Sequence, residues 1–219
     1  MFRTALLVAG KDLRIELRSR VLLWQVLPFG VMALLLCGLA LGPAHAGSSS
    51  SAPGLFYLVV VLVTLLIINR SQAIEQTPGT RFSVATLGLD PAGVFLGKAA
   101  ALCVELWITS GVLLVGSVLF LHIPAHAAFL ATASILVTTA ALGCAGSLYG
   151  ALTAGNNGAA TLLPVLALPA FSPLLIAGER SFNSTLSHGS LWEWWVISLV
   201  GLVVYLAIGI LLYGVLEES

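Results

Sequence analysis

The chain has 219 residues, 59% of them hydrophobic and 8% charged, and its nine Lys and Arg balance nine Asp and Glu. Soluble domains carry roughly 25% charged residues, so most of this chain reads as bilayer-embedded, and a formal net charge of zero speaks against nucleic acid as a partner. No polar stretch is long enough for a separate soluble domain, which leaves residues 1–219 as one transmembrane domain and assigns nucleotide chemistry to another polypeptide.

Residues 2–20 read as an amphipathic interfacial helix. At about 100° per residue, Leu6, Gly10, Leu13 and Leu17 share one stripe, and Arg3, Lys11, Arg14 and Arg18 form a second beside it. Glu16 and Arg20 stand at i,i+4 in the favourable order for an ion pair. Such a helix lies along a membrane surface, apolar side down and cations near anionic headgroups.

Six apolar runs follow. A hydrocarbon core of roughly 30 Å needs about 20 residues of helix, and the runs at 21–42, 53–68, 98–121, 127–152, 159–178 and 191–216 are the expected spans. The fold class is therefore an all-α membrane protein with six transmembrane helices. Pro28 is expected to kink the first span, which neighbouring helices tolerate. Ala44-His45-Ala46 looks like a signal-cleavage site, but the preceding run from Val21 to Gly42 exceeds the roughly 7–15 residues of a signal-peptide core. The short second span ends at Asn69-Arg70. Residues 69–97 make the one sizeable connection, broken at Pro78-Gly79 and Asp90-Pro91, with a short helix expected between the breaks. HIPAH is a tight turn. The fourth span is rich in small residues that let helices pack closely in lipid. A polar loop, GERSFNSTLSHGS, is expected before the sixth span.

Orientation follows from Lys and Arg. With the N-terminus inside, the interior segments hold Arg3, Lys11, Arg14, Arg18, Arg20, Arg70, Arg81 and Lys98, and the exterior only Arg180. Both termini are then cytoplasmic.

The chemistry-bearing residues are few. Gly93-Val94-Phe95-Leu96-Gly97-Lys98-Ala99 resembles a phosphate-binding loop only superficially: the glycines are one residue too close and no Ser or Thr follows the lysine. Lys98 is read as snorkelling to headgroups. Glu105 is the one acid well inside a span, where charge is costly. It faces a water-lined path, pairs with a partner subunit, sits protonated, or simply makes a subunit contact. His122 and His126 have the i,i+4 spacing of a metal or haem-iron pair, yet Pro124 lies between them, and turn residues near the outer headgroups are the plainer reading. Trp192, Trp194 and Trp195 read as an interfacial aromatic belt, with a stacking platform for haem as the sharper alternative. Cys37, Cys103 and Cys144 are odd in number, lack a C-x-x-C and read as small packing residues, so neither disulfide nor metal is expected. Pro164, Pro169 and Pro173 remove helix hydrogen bonds from the fifth span. That span is expected to be broken or kinked, and packed within a bundle or against another subunit.

The chain resembles the CcmB family, the membrane subunit of the ABC-type haem-handling complex for cytochrome c maturation. The resemblance rests on the charged run Lys11-Asp12-Leu13-Arg14-Ile15-Glu16-Leu17-Arg18, on Gly79-Thr80 and Leu96-Gly97-Lys98, and on Ala151-Leu152-Thr153. Leu162-Leu163, Leu168-Pro169 and Pro173-Leu174-Leu175-Ile176 are its most specific part. Two places depart from the pattern: Arg81-Phe82 replace an acidic residue, and Asn157-Gly158 replace Lys-Arg. The resemblance implies an ABC-2-type permease in the bacterial inner membrane, dimeric, with ATP bound by a separate CcmA-like subunit. It also implies CcmC-, CcmD- and CcmE-like partners, and haem as the transported or handled ligand rather than a cofactor of this chain. A cytoplasmic coupling helix between the second and third spans, with Gly79, Thr80, Arg81, Phe82 and Leu87, would meet the ATPase. Haem export and ATP-driven release of haem-loaded CcmE are both compatible with this reading. The alternatives are a non-transporting scaffold for haem-handling factors, a permease for another substrate, and a secondary transporter using Glu105 as proton carrier.

Overall fold

The computed structural model describes residues 1–41, 51–75, 90–153, 159–187 and 189–217. Every regular element among them is helical: α1 (Phe2–Ser19), a π-helical turn (Leu22–Val26), α2 (Leu27–Leu41), α3 (Ala52–Glu75), α4 (Pro91–Phe120), α5 (Ala125–Thr153), α6 (Ala159–Ser187) and α7 (Trp192–Glu217). Among the described residues six stretches are long and apolar enough to cross a membrane: Leu22–Leu41, Ala52–Gln72, Pro91–Phe120, Ala125–Thr153, Leu162–Ser187 and Trp192–Leu212. The protein is an all-α, multi-pass membrane protein.

Helix α5 is the hub and packs against α3, α4, α6 and α7. Its small side chains explain this position, because lipid provides no hydrophobic drive between helices and close backbone approach must supply the attraction. Ile68 and Gln72 of α3 seat on Gly146 and Gly150, where a methyl group would lie 2.5 Å from either side chain. Most buried hydroxyls return their proton to a carbonyl of their own helix. Thr64 donates to Val60, Thr109 to Glu105 and Thr139 to Ile135, at 2.7, 2.7 and 2.6 Å. Others cross between helices: the Ser134 Oγ accepts from Ser181 Oγ at 2.7 Å and from Trp195 Nε1 at 2.6 Å.

Three boundaries differ from the sequence reading. The second and third spans extend inward as α3 to Glu75 and α4 from Pro91, so the connection is shorter than residues 69–97. Asp90-Pro91 starts the third-span helix, with Asp90 at the N-cap and Pro91 at the first helical position, where its missing N–H costs nothing. The polar loop before the last span is mostly helix, since α6 runs on to Ser187. Its polar residues are compatible with burial: Ser181 reaches Ser134, Thr185 donates to the Phe182 carbonyl at 2.6 Å, and the Phe182 ring is fully buried.

Prolines are absorbed rather than allowed to break helices. Ahead of Pro28, the Leu27 N–H bonds to the Leu22 carbonyl five residues back, a π turn that widens the helix before the ring. Helix α6 is continuous through Pro164, Pro169 and Pro173, so of the expected break or kink the break is absent. Pro173 has no N–H for the Pro169 carbonyl four residues back. The Ser172 Oγ supplies the missing donor at 2.9 Å, and Tyr205 Oη of α7 donates to the neighbouring Ala170 carbonyl at 2.9 Å. One face of α6 is buried through Leu163, Ala167, Phe171 and Leu174, while Leu162, Val165, Leu166 and Ile176 are exposed.

Candidate functional site

Helix α1 has three faces, and the third is what the stripe pattern alone did not assign. Phe2, Leu6 and Leu17 are exposed and apolar, and Arg3, Lys11, Arg14 and Arg18 are exposed and cationic. Thr4, Ala5, Val8 and Glu16 turn the other way, and α1 packs along α4. The seat is Gly93 and Gly97. A methyl group at Gly93 would meet the Met1 carbonyl and Thr4 Cβ at 2.8 Å, and one at Gly97 would meet the Ala5 carbonyl and Val8 Cβ at 2.7 Å. The segment that mimics a phosphate loop is thus a small-xxx-small groove for a helix. The Met1 ammonium closes the seam on Asp90 Oδ2 at 3.2 Å.

At the far end of α1 the chain turns a corner into the first span. Arg20 takes a left-handed conformation, φ 54°, and ends α1. Glu16 organises the corner. Its Oε1 accepts the Leu22 N–H at 2.7 Å, satisfying a donor at the start of the span, and receives Arg70 Nη1 of α3 at 2.6 Å. Arg70 Nη2 donates to Ser19 Oγ at 2.8 Å, and Ser19 Oγ donates to the Glu16 carbonyl at 3.0 Å. One carboxylate therefore ties α1, the first span and the second span together. The expected Glu16–Arg20 pair does not form, because Glu16 lies on the inward face of α1 while Arg20 is exposed. Arg70, read as a boundary marker, is a structural cation more than a turn inside α3.

The remaining sequence candidates fall in several places. Glu105 is on α4, 9% exposed, within electrostatic range of Glu16, Arg70 and Asp12, and so belongs to this corner. Gly79, Thr80, Arg81, Phe82 and Leu87 lie outside the described residues, as do Asn157 and Gly158. Pro164, Pro169 and Pro173 share α6. His122 and His126 are both exposed and sit on different elements, His122 in a turn with φ 55° and His126 in the first turn of α5. Among the described residues no group of three or more His, Cys, Asp or Glu side chains is placed to hold a metal ion. Trp192 is exposed, Trp194 and Trp195 are half-buried, and Trp195 Nε1 donates to Ser134 Oγ at 2.6 Å.

A family model described as CcmB protein matches residues 3–213. The chain belongs to the CcmB family. Curated relatives named heme exporter protein B agree. That of Rhodobacter capsulatus is 33% identical over 175 residues, covering 78% of each chain. That of Paracoccus denitrificans is 32% identical over the same length and coverage. That of Pseudomonas aeruginosa is 28% identical over 208 residues, covering 91% of each chain. The match to the CcmB model includes α1 from Arg3, the whole Glu16–Arg70 corner and all six spans except the last residues of α7. The corner was missed in the sequence because its partners are 54 positions apart. The one available signal was an acid on the side of α1 that carries neither the leucines nor the cations.

Proposed function

We propose that this CcmB-family chain is the membrane permease subunit of an ABC complex that handles haem in cytochrome c maturation, energised by a separate CcmA-like ATP-binding subunit. The observation that carries the reading is the full-length CcmB match on a six-span bundle, together with relatives whose name is heme exporter protein B. The chain sits in the bacterial inner membrane with both termini in the cytoplasm, an orientation that rests on its Lys and Arg distribution. It works as a dimer beside CcmC-, CcmD- and CcmE-like partners. Segment 76–91, whose last two residues begin α4, is the coupling element that meets the ATPase through Gly79, Thr80, Arg81, Phe82 and Leu87. It connects α3 directly to α4, and the Glu16–Arg70 pair ties α3 to α1 and the first span. Force on the segment therefore reaches α3, α4, α1 and the first span together, and ATP-driven closure biases the bundle between two arrangements.

The test is replacement of the chromosomal copy by Arg81→Glu or Val84→Pro. Both variants are expected to abolish cytochrome c maturation while the protein accumulates normally in the membrane. Full maturation with either substitution would overturn the coupling role. Full maturation in cells lacking the chain altogether would overturn the function.

A further inference from the structure

Arg70 holds one buried carboxylate and has a second beside it. Along the α1–α4 seam Met1 meets Asp90, Thr4 meets Gly93 and Val8 meets Gly97. The three pairs keep one constant offset in numbering, so the two helices run parallel and in register. The same offset sets Glu16 opposite Glu105. The electrostatic neighbours of Glu105 agree with this placement, since Glu16, Arg70 and Asp12 all act on it. Both glutamates are 9% exposed. Among the described residues the Glu105 carboxylate receives no hydrogen bond or ion pair, although its carbonyl accepts from Thr109. A carboxylate inside a span is costly and draws in a cation.

We infer that Glu105 is a second seat for the Arg70 guanidinium, and that the guanidinium exchanges between Glu16 and Glu105 as the corner opens and closes. The asymmetry of the corner favours such an exchange. When Arg70 leaves, Glu16 keeps the Leu22 N–H as a donor, so neither carboxylate is stranded in both arrangements. The guanidinium suits the task because its five donors form a planar fork that fits a carboxylate from more than one side. Glu105 is then a positioning residue that stabilises the open corner, and the inference rests on the proposed function only for what drives the exchange.

The test uses the purified full chain in detergent, without any ATP-binding subunit. Trypsin cleavage after the exposed Arg18 and Arg20 reports opening of the corner. Glu16→Gln is expected to raise the cleavage rate several-fold and Glu105→Gln to lower it several-fold, with Glu105→Asp close to the unsubstituted protein. A merely structural glutamate would raise cleavage when lost. Unchanged or faster cleavage in Glu105→Gln would overturn the inference. In an Arg70→Gln background, Glu105→Gln should have no further effect, and a further effect would also overturn it. Thermal unfolding of each variant shows that it is folded. Because no ATPase is present, failure here leaves the proposed function standing, and failure of that function leaves this result readable.

Discussion

Glu16 shows how much one side chain carries in a bundle with few charges. Its carboxylate serves as a helix-start acceptor for Leu22 and an ion-pair partner for Arg70, both at charge-assisted distances. Glu16→Ala removes both roles: the Leu22 N–H loses its acceptor, and the partly buried Arg70 guanidinium loses the carboxylate it is paired with and is left to turn to Glu105. The expected cost is about 3 kcal/mol, the range seen when one member of a buried pair is lost, read as a fall in the thermal unfolding midpoint in detergent. Exchanging the two residues, Glu16→Arg with Arg70→Glu, should recover only part of that loss, because an arginine cannot accept the Leu22 N–H. Full recovery would mean that the cap contributes nothing. At Gly97 the prediction is steric. Gly97→Leu places a side chain where Val8 and the Ala5 carbonyl already sit, so α1 should leave its seat. A cysteine at position 8, buried in the native seam, should then react with a water-soluble maleimide. Continued protection would show that α1 tolerates the bulk.

Helix α6 carries three prolines and stays helical, and at Pro173 a side-chain donor stands where the ring removed the backbone one. Ser172→Ala is expected to cost about 1 kcal/mol, the net worth of one hydrogen bond, by leaving the Pro169 carbonyl without its donor. In a Pro173→Ala background the backbone N–H returns, and the same Ser172→Ala change should then cost almost nothing. Equal cost in both backgrounds, measured as unfolding midpoints, would show that Ser172 does not compensate for Pro173. The proline content was plain from the sequence, but the outcome was not, because compensation depends on Ser172 and on Tyr205 from a helix more than thirty positions away. The same limit explains the other misreadings. The third span was read as starting at Lys98, and the Asp90-Pro91 pair carries that helix seven residues further back. Residues 179–187 look like a loop until Ser134 supplies a partner for Ser181. Element type was legible from hydropathy alone. Inward-facing polar residues were not, because their partners are set by packing.

For the whole molecule, the spans, the amphipathic first helix and the family resemblance were all readable, since each is carried by composition or by local runs of residues. The corner was not, since Glu16, Arg70 and Glu105 come together only when α1 lies in the Gly93–Gly97 groove and α3 reaches the same place. The account makes this bundle a passive machine whose energy arrives at one end, through the segment linking α3 to α4. The most direct measurement is ATP hydrolysis by material purified from native membranes on a tag at the C-terminus of this chain. The account predicts that an ATP-binding subunit co-purifies, that the preparation hydrolyses ATP, and that Arg81→Glu abolishes the co-purification or the hydrolysis. A preparation that supports haem handling with no ATP-binding protein present would contradict it.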